Sequence, residues 1–185
     1  MKNHFQVLVI GGGNAGISLS ALLLLKDSHL NVGIIEPSEK HYYQPAWTLV
    51  GAGVYNIQDT ERKEADFIPE KATWIKEYAD KFEPEQNKVI TKEGNTYTYD
   101  YLIVCPGIQL NWGEIKGLKE NLGKNGVTSN YSFKTAPYTY ECIKNYKGGN
   151  AIFHNPTNTV KCGGAPHKIM WLAADYFNKH GMADK

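Results

Sequence analysis

Arginine is almost missing from this sequence: of 20 basic residues only Arg62 is not lysine. The skew matches a codon preference and carries no functional reading of its own. Cysteine is sparse, with Cys105, Cys142 and Cys162 in an odd count and no CxxC spacing. That excludes a disulfide scaffold and leaves at least one thiol free. No long apolar run exists; the longest leucine run, Leu22–Leu25, falls far short of the ~20 residues a membrane span needs. An excess of one charge is also absent, since 19 acidic residues balance the 20 basic ones. A nucleic-acid partner and strong electrostatic steering are therefore not expected. His4, His29, His41, His154, His167 and His180 show no metal-ligand spacing, so no metal site is expected. A Gly-x-Ser-x-Gly elbow and a Walker loop are missing too. The first apolar strand starts almost at Met1, and no signal or transit peptide is expected.

What is present reads as α/β. The apolar run Phe5–Ile10 is a buried parallel strand, a glycine turn follows, and Ile17–Lys26 reads as a helix. A second run, Val32–Ile35, ends at Glu36 and completes a βαβ unit. Residues 51–71 are polar and aperiodic, which predicts a loop with at most one short helix. Strands are predicted at Thr73–Tyr78, Lys88–Thr91 and Thr96–Tyr99, the last two flanking the hairpin residues Lys92-Glu93-Gly94-Asn95. Together they suggest an antiparallel meander inserted as a crossover. A buried strand at Tyr101–Cys105 closes on Pro106-Gly107. Further on, Ala136–Tyr146 reads as an amphipathic helix, Ala151–His154 as a strand and Pro166–Lys179 as a helix. The fold class predicted is a Rossmann-like βαβ domain with an inserted β-meander, followed by the start of a second Rossmann-like domain.

The turn Gly11-x-Gly13-x-x-Gly16 gains its meaning from context: strand before, helix after, and an acidic residue closing the second strand. Gly11 permits the tight turn, Gly13 lets backbone N–H groups approach a pyrophosphate, and Gly16 lets the helix lie on the strand. The helix N-terminus favours an anion there. Glu36 can accept hydrogen bonds from ribose hydroxyls. The fingerprint alone leaves FAD and NAD open; the meander followed by YDYLIVCPG, ending at Gly107, tilts the choice to a flavin.

The stretch VKCGGAPHKIMWL places Cys162 just ahead of a helix with Pro166 in its first turn. N–H groups at that end, with Lys161, His167 and Lys168 nearby, would stabilise a thiolate. Gly163 and Gly164 keep the sulfur's surroundings clear. The residues leave an inert loop cysteine equally open. Residues 155–164 lack a second Gly-x-Gly-x-x-Gly, so a nicotinamide has no evident cradle and electrons would enter another way. Cys105 and Cys142 read as packed residues.

The segments VLVIGGGNAGIS, IIEPSEKHYYQPAWTLVGAG, YDYLIVCPGIQL, SNYSFKT and VKCGGAPHKIMWL resemble the sulfide:quinone oxidoreductases, flavoproteins of the two-dinucleotide-domain disulfide reductase superfamily. HYYQPAWTLVGAG and VKCGGAP are the specific pieces, and the likeness is strongest to the branch that includes mitochondrial enzymes. The resemblance implies FAD at Gly11, Gly13, Asn14, Ala15 and Gly16, with Glu36 on the adenosine ribose, Gln44 near the flavin, the Ala79 backbone at the adenine, and Gly107 at the cradle. It implies that Cys162 is one of two redox cysteines that carry a persulfide. Sulfide and a quinone are the implied substrates, with the sulfur acceptor unassigned. Action at a membrane surface follows for the full-length protein, in or on a bacterial cytoplasmic compartment, and a homodimer is an assembly it allows. The family's chains run to roughly twice this length, a two-domain size. Residues 1–112 then correspond to the first segment of the FAD-binding domain. Residues 113–185 correspond to a connection and the beginning of the second domain, with the second redox cysteine and the quinone region outside. The alternatives are a type II NADH dehydrogenase-like enzyme, a flavocytochrome-type sulfide dehydrogenase, or a dinucleotide-binding module without catalysis.

Overall fold

The structure, a computed structural model, describes residues 3–155, 160–182 and 184. Two compact units divide the chain, each assembled from two stretches: residues 1–42 with 62–108, and residues 43–61 with 109–185.

The first unit is built on a six-stranded sheet. Its strands are β1 (His4–Ile10), β2 (Val32–Ile35), β5 (Thr73–Ile75), β6 (Ala79–Glu83), β7 (Lys88–Thr91) and β8 (Thr96–Val104), in the order β5-β2-β1-β8-β7-β6. Two short strands, β3 (Lys40–Tyr42) and β4 (Glu61–Lys63), pair separately. Four strands, β5, β2, β1 and β8, run parallel, and β7 and β6 add an antiparallel tail. From Val7 to Ile10 β1 is buried on both faces, as its apolar run requires. Leu8 and Ile10 join one core with Phe5, Ile35, Val89 and Tyr99, whereas Val7 and Val9 pack with Val32, Ile34 and Leu24 of helix α1 (Asn14–Lys26). This period-two split fixes the register, because a one-residue slip would exchange the two cores. The α/β class and the βαβ unit are those the sequence predicts.

The crossover differs from its prediction in three ways. Thr73–Ile75 is not part of a meander; it pairs parallel to β2 at the sheet edge. β6 takes that place, although its charged residues Asp80, Lys81 and Glu83 give no apolar signal. Third, Thr96–Val104 is one strand: Thr96–Thr98 pairs with β7 and Thr98–Val104 pairs with β1. Asp100 interrupts the hydropathy without interrupting the backbone ladder.

The second unit contains α2 (Trp47–Gly51), α3 (Leu118–Asn121), α4 (Ala136–Lys144) and α5 (Ala165–Lys179). Ile143 of α4 meets Ile169 and Ala173 of α5 in a small core edged by Phe153, Tyr176 and Phe177. α2 approaches closely because Gly51 has no side chain: a Cβ there would lie 3.2 Å from Ile169 and 3.3 Å from Thr139. The strand predicted at Ala151–His154 is absent; these residues carry no regular structure. A parallel strand exists only against a partner, and no described residue pairs with this one. Of the 155–164 stretch read for a second fingerprint, residues 156–159 lie outside the described residues.

Candidate functional site

In the first unit the glycine turn is shaped by backbone proximity. Gly11 has φ +101°, and a Cβ there would lie 2.4 Å from the Cys105 carbonyl oxygen. At Gly16 a Cβ would come within 1.8 Å of the Gly11 carbonyl oxygen, so any side chain would force α1 off the turn. Gly13 is the opposite case: exposed at the N-cap of α1, with nothing within 4 Å of an added Cβ. No side chain caps the helix and its first turn carries no acid. The leading N–H groups, with Asn14 and Ala15 exposed, therefore remain free to donate outward.

Glu36 is anchored to this turn. Gly12 N–H donates to its Oε2 at 2.8 Å and Ser38 N–H to its Oε1 at 2.7 Å. Its main chain is tied to β5, with its N–H on the Ile75 carbonyl at 3.0 Å and its own carbonyl accepting from Trp74 Nε1 at 2.8 Å. Each carboxylate oxygen keeps a further acceptor site. Ala79 begins β6, half-buried against the Phe5–Leu8 core. Gly107 has φ +77° and open space around it. Cys105 lies inside the turn, its thiol 3.8 Å from the Gly11 carbonyl oxygen, and burial pushes that thiol's pKa up. This unit thus contains Gly11, Gly13, Asn14, Ala15, Gly16, Glu36, Ala79 and Gly107.

Gln44 and Cys162 belong to the second unit. Gln44 Oε1 accepts from Lys161 Nζ at 2.6 Å, which brings it beside the residue preceding Cys162. Cys162 is a free, half-buried thiol. Its carbonyl accepts from Ala165 N–H at 3.2 Å and from the Tyr131 hydroxyl at 3.0 Å, fixing the main chain just ahead of α5. Burial raises the Tyr131 pKa, and negative charge at Cys162 would raise it further. Gly163 meets nothing within 4 Å, and the Lys168 side chain lies 3.7 Å from the place of a Gly164 Cβ. Cys142, in α4, has its pKa raised by burial.

The sequence reading missed one residue of this neighbourhood. Glu64 lies in the stretch read as a loop with at most one short helix, yet only 2% of it is exposed, and it reaches His41 Nδ1 at 3.1 Å. A buried acid inside a polar, aperiodic segment leaves no periodic signal. Among the described residues no His, Cys, Asp or Glu cluster suits a metal, and no helix is long and apolar enough to cross a membrane.

A parallel sheet whose first strand feeds an uncapped helix through a glycine turn, with a carboxylate anchored at the end of the second strand, defines a dinucleotide-binding domain. The chain belongs to the pyridine nucleotide-disulphide oxidoreductase family, whose pattern matches residues 5–139. It is 54% identical over its whole length to the mitochondrial sulfide:quinone oxidoreductase of Dictyostelium discoideum, of which it covers 41%. It is 43% identical to the mouse (Mus musculus) mitochondrial enzyme of the same name, again covering 41%. The X-ray structure of the sulfide:quinone oxidoreductase from Aquifex aeolicus superposes with a TM-score of 0.75 at 25% identity, over 99% of this chain and 41% of that one. The chain therefore spans about two fifths of the length of these relatives. The resemblance read from the motifs is borne out by these relatives, and FAD is the cofactor that goes with this kinship. The residues present fit it: the side of Gly13 is empty, the helix end is uncapped, and Glu36 is held with acceptor capacity to spare.

Proposed function

We propose that the chain is part of a flavoprotein that oxidises sulfide and passes the electrons to a quinone. FAD would be held by Gly11, Gly13, Asn14, Ala15 and Gly16 at its phosphates, by Glu36 at the adenosine ribose, by the Ala79 backbone at the adenine and by Gly107 at the cradle, with Gln44 toward the flavin. When bound, it supplies the two-electron relay between sulfur and quinone. Cys162 supplies the sulfur-bearing atom. In the net step the Cys162 thiolate and HS⁻ lose two electrons and one proton as their sulfurs join in Cys–S–S⁻, and the quinone takes those two electrons, that proton and one more from water to become quinol. The outer sulfur then leaves to an acceptor. Such exchange needs an approachable thiolate.

One observation carries this reading. Cys162 is a free thiol fixed ahead of α5 by two hydrogen bonds to its carbonyl, beside open backbone at Gly163 and the cationic Lys161 and Lys168. The quinone implies work at a membrane surface, as the sequence reading expects. Residues 1–112 correspond to the first segment of the FAD domain and residues 113–185 to the connection and the start of a second. An NADH-oxidising relative is disfavoured by Pro166 in the first turn of α5, which removes a backbone donor a second pyrophosphate would use. In the full-length protein, Cys162→Ser is expected to abolish sulfide-dependent quinone reduction while flavin content holds. Retained turnover contradicts the cysteine's role, and flavin bleaching by NADH rather than sulfide supports the alternative.

A further inference from the structure

Gly12 is crowded by two glutamate side chains, a carboxyl oxygen of Glu64 and the methylene carbons of Glu36. A Cβ at Gly12 would lie 2.5 Å from Glu64 Oε1 and 2.7 Å from Glu36 Cγ, so both side chains press on the same point of the turn. Glu64 is 2% exposed. Its main chain is pinned on both sides, since its N–H donates to the Glu39 carbonyl at 3.0 Å and its carbonyl accepts from Phe67 and Ile68. Oε2 is bonded to His41 Nδ1, and the His41 ring lies 4.8 Å from the Phe67 ring, tilted by 33°. Oε1 is buried and has no hydrogen-bond partner among the described residues. An acid fixed this firmly behind a phosphate-binding turn, with one oxygen left unpaired, is costly unless it serves the turn.

We propose that Glu64 is a positioning residue of the dinucleotide cradle, holding Glu36 and Gly12 in register from behind and making dinucleotide affinity depend on its proton. The inference rests on the FAD cradle described above. The ionisable groups that face Glu64 are His41 from β3 and Glu36 from the turn after β2. Burial pushes the Glu64 carboxyl up most strongly, the His41 hydrogen bond and charge oppose this, and Glu36 adds to it. With its proton, Glu64 is a neutral prop against Gly12. As pH rises and the proton leaves, a second negative charge develops beside the carboxylate that must receive the ribose hydroxyls, and behind a turn that must receive phosphates. Dinucleotide binding then weakens with rising pH, because the bound form favours the protonated acid.

FAD titrated into the flavin-free full-length protein, followed by quenching of flavin fluorescence, tests this. The wild type should weaken about tenfold as pH rises through the titration of Glu64, and Glu64→Gln, a neutral isostere, should bind at all pH values as the wild type does at the acid end. His41→Gln should move the weakening to higher pH, since His41 favours the charged acid; this variant decides the matter if Glu64→Gln does not fold. A purely structural Glu64 would lower thermal stability in Glu64→Gln and leave the pH profile parallel to wild type, which overturns the proposal. Absence of FAD binding in every form, wild type included, overturns the cradle reading and this inference with it.

Discussion

At the scale of single residues, the three fingerprint glycines do different work, and substitution separates them. Gly16→Ala places a methyl 1.8 Å from the Gly11 carbonyl oxygen, which only a backbone shift can relieve. A loss of about 1–3 kcal/mol in stability is expected, with loss of flavin. Gly13→Ala meets nothing within 4 Å, and its φ of −67° suits alanine. Its unfolding temperature should stay within about 2 °C of wild type while flavin retention falls, because the methyl fills space the phosphates need. Circular dichroism melting paired with flavin absorbance checks both. Equal loss of stability in the two variants would contradict this division. The glycines were legible because the turn's geometry is written in their spacing. Glu64 was not, because its role depends on burial beside Gly12, a residue more than fifty positions earlier.

At the scale of elements, what was legible followed hydropathy. β1, β2 and α1 are rich in apolar residues, α4 and α5 are amphipathic, and all five emerge close to their predicted bounds. β6 escaped because Asp80, Lys81 and Glu83 leave it no apolar face, and it is a strand only because β7 pairs with it. Ala151–His154 erred the other way: a strand-like composition without a pairing partner stays irregular. Helix α5 shows how packing, not propensity, fixes an element. Ile169 is 5% exposed and touches Ile143, and Gly51 approaches it closely, whereas Trp171 is 67% exposed. Ile169→Ala should therefore cost about 2–4 kcal/mol. Trp171→Ala on the same helix should change stability by less than about 0.5 kcal/mol. Urea unfolding of the two variants gives the comparison, and similar losses in both would contradict the packing described.

At the scale of the whole molecule, the two units interleave in sequence, since residues 43–61 go with residues 109–185. Reading along the chain does not show this; it depends on Gly51 packing against Thr139 and Ile169, about 90 and 120 positions later. The same arrangement sets Gln44 and Lys161, 117 positions apart, in contact beside the thiol. Motif resemblance linked HYYQP and VKCGG to one chemistry, and the hydrogen bond between them supplies a physical basis for the link. The central claim is that Cys162 carries sulfane sulfur, whereas Cys105 and Cys142, with pKa values raised by burial, do not. Its most direct test is mass spectrometry of cysteine peptides from the full-length protein, exposed to sulfide without air and then alkylated. The account predicts one added sulfur atom on the Cys162 peptide and none on those of Cys105 and Cys142; an unmodified Cys162, or sulfur on either of the other two instead, would contradict it.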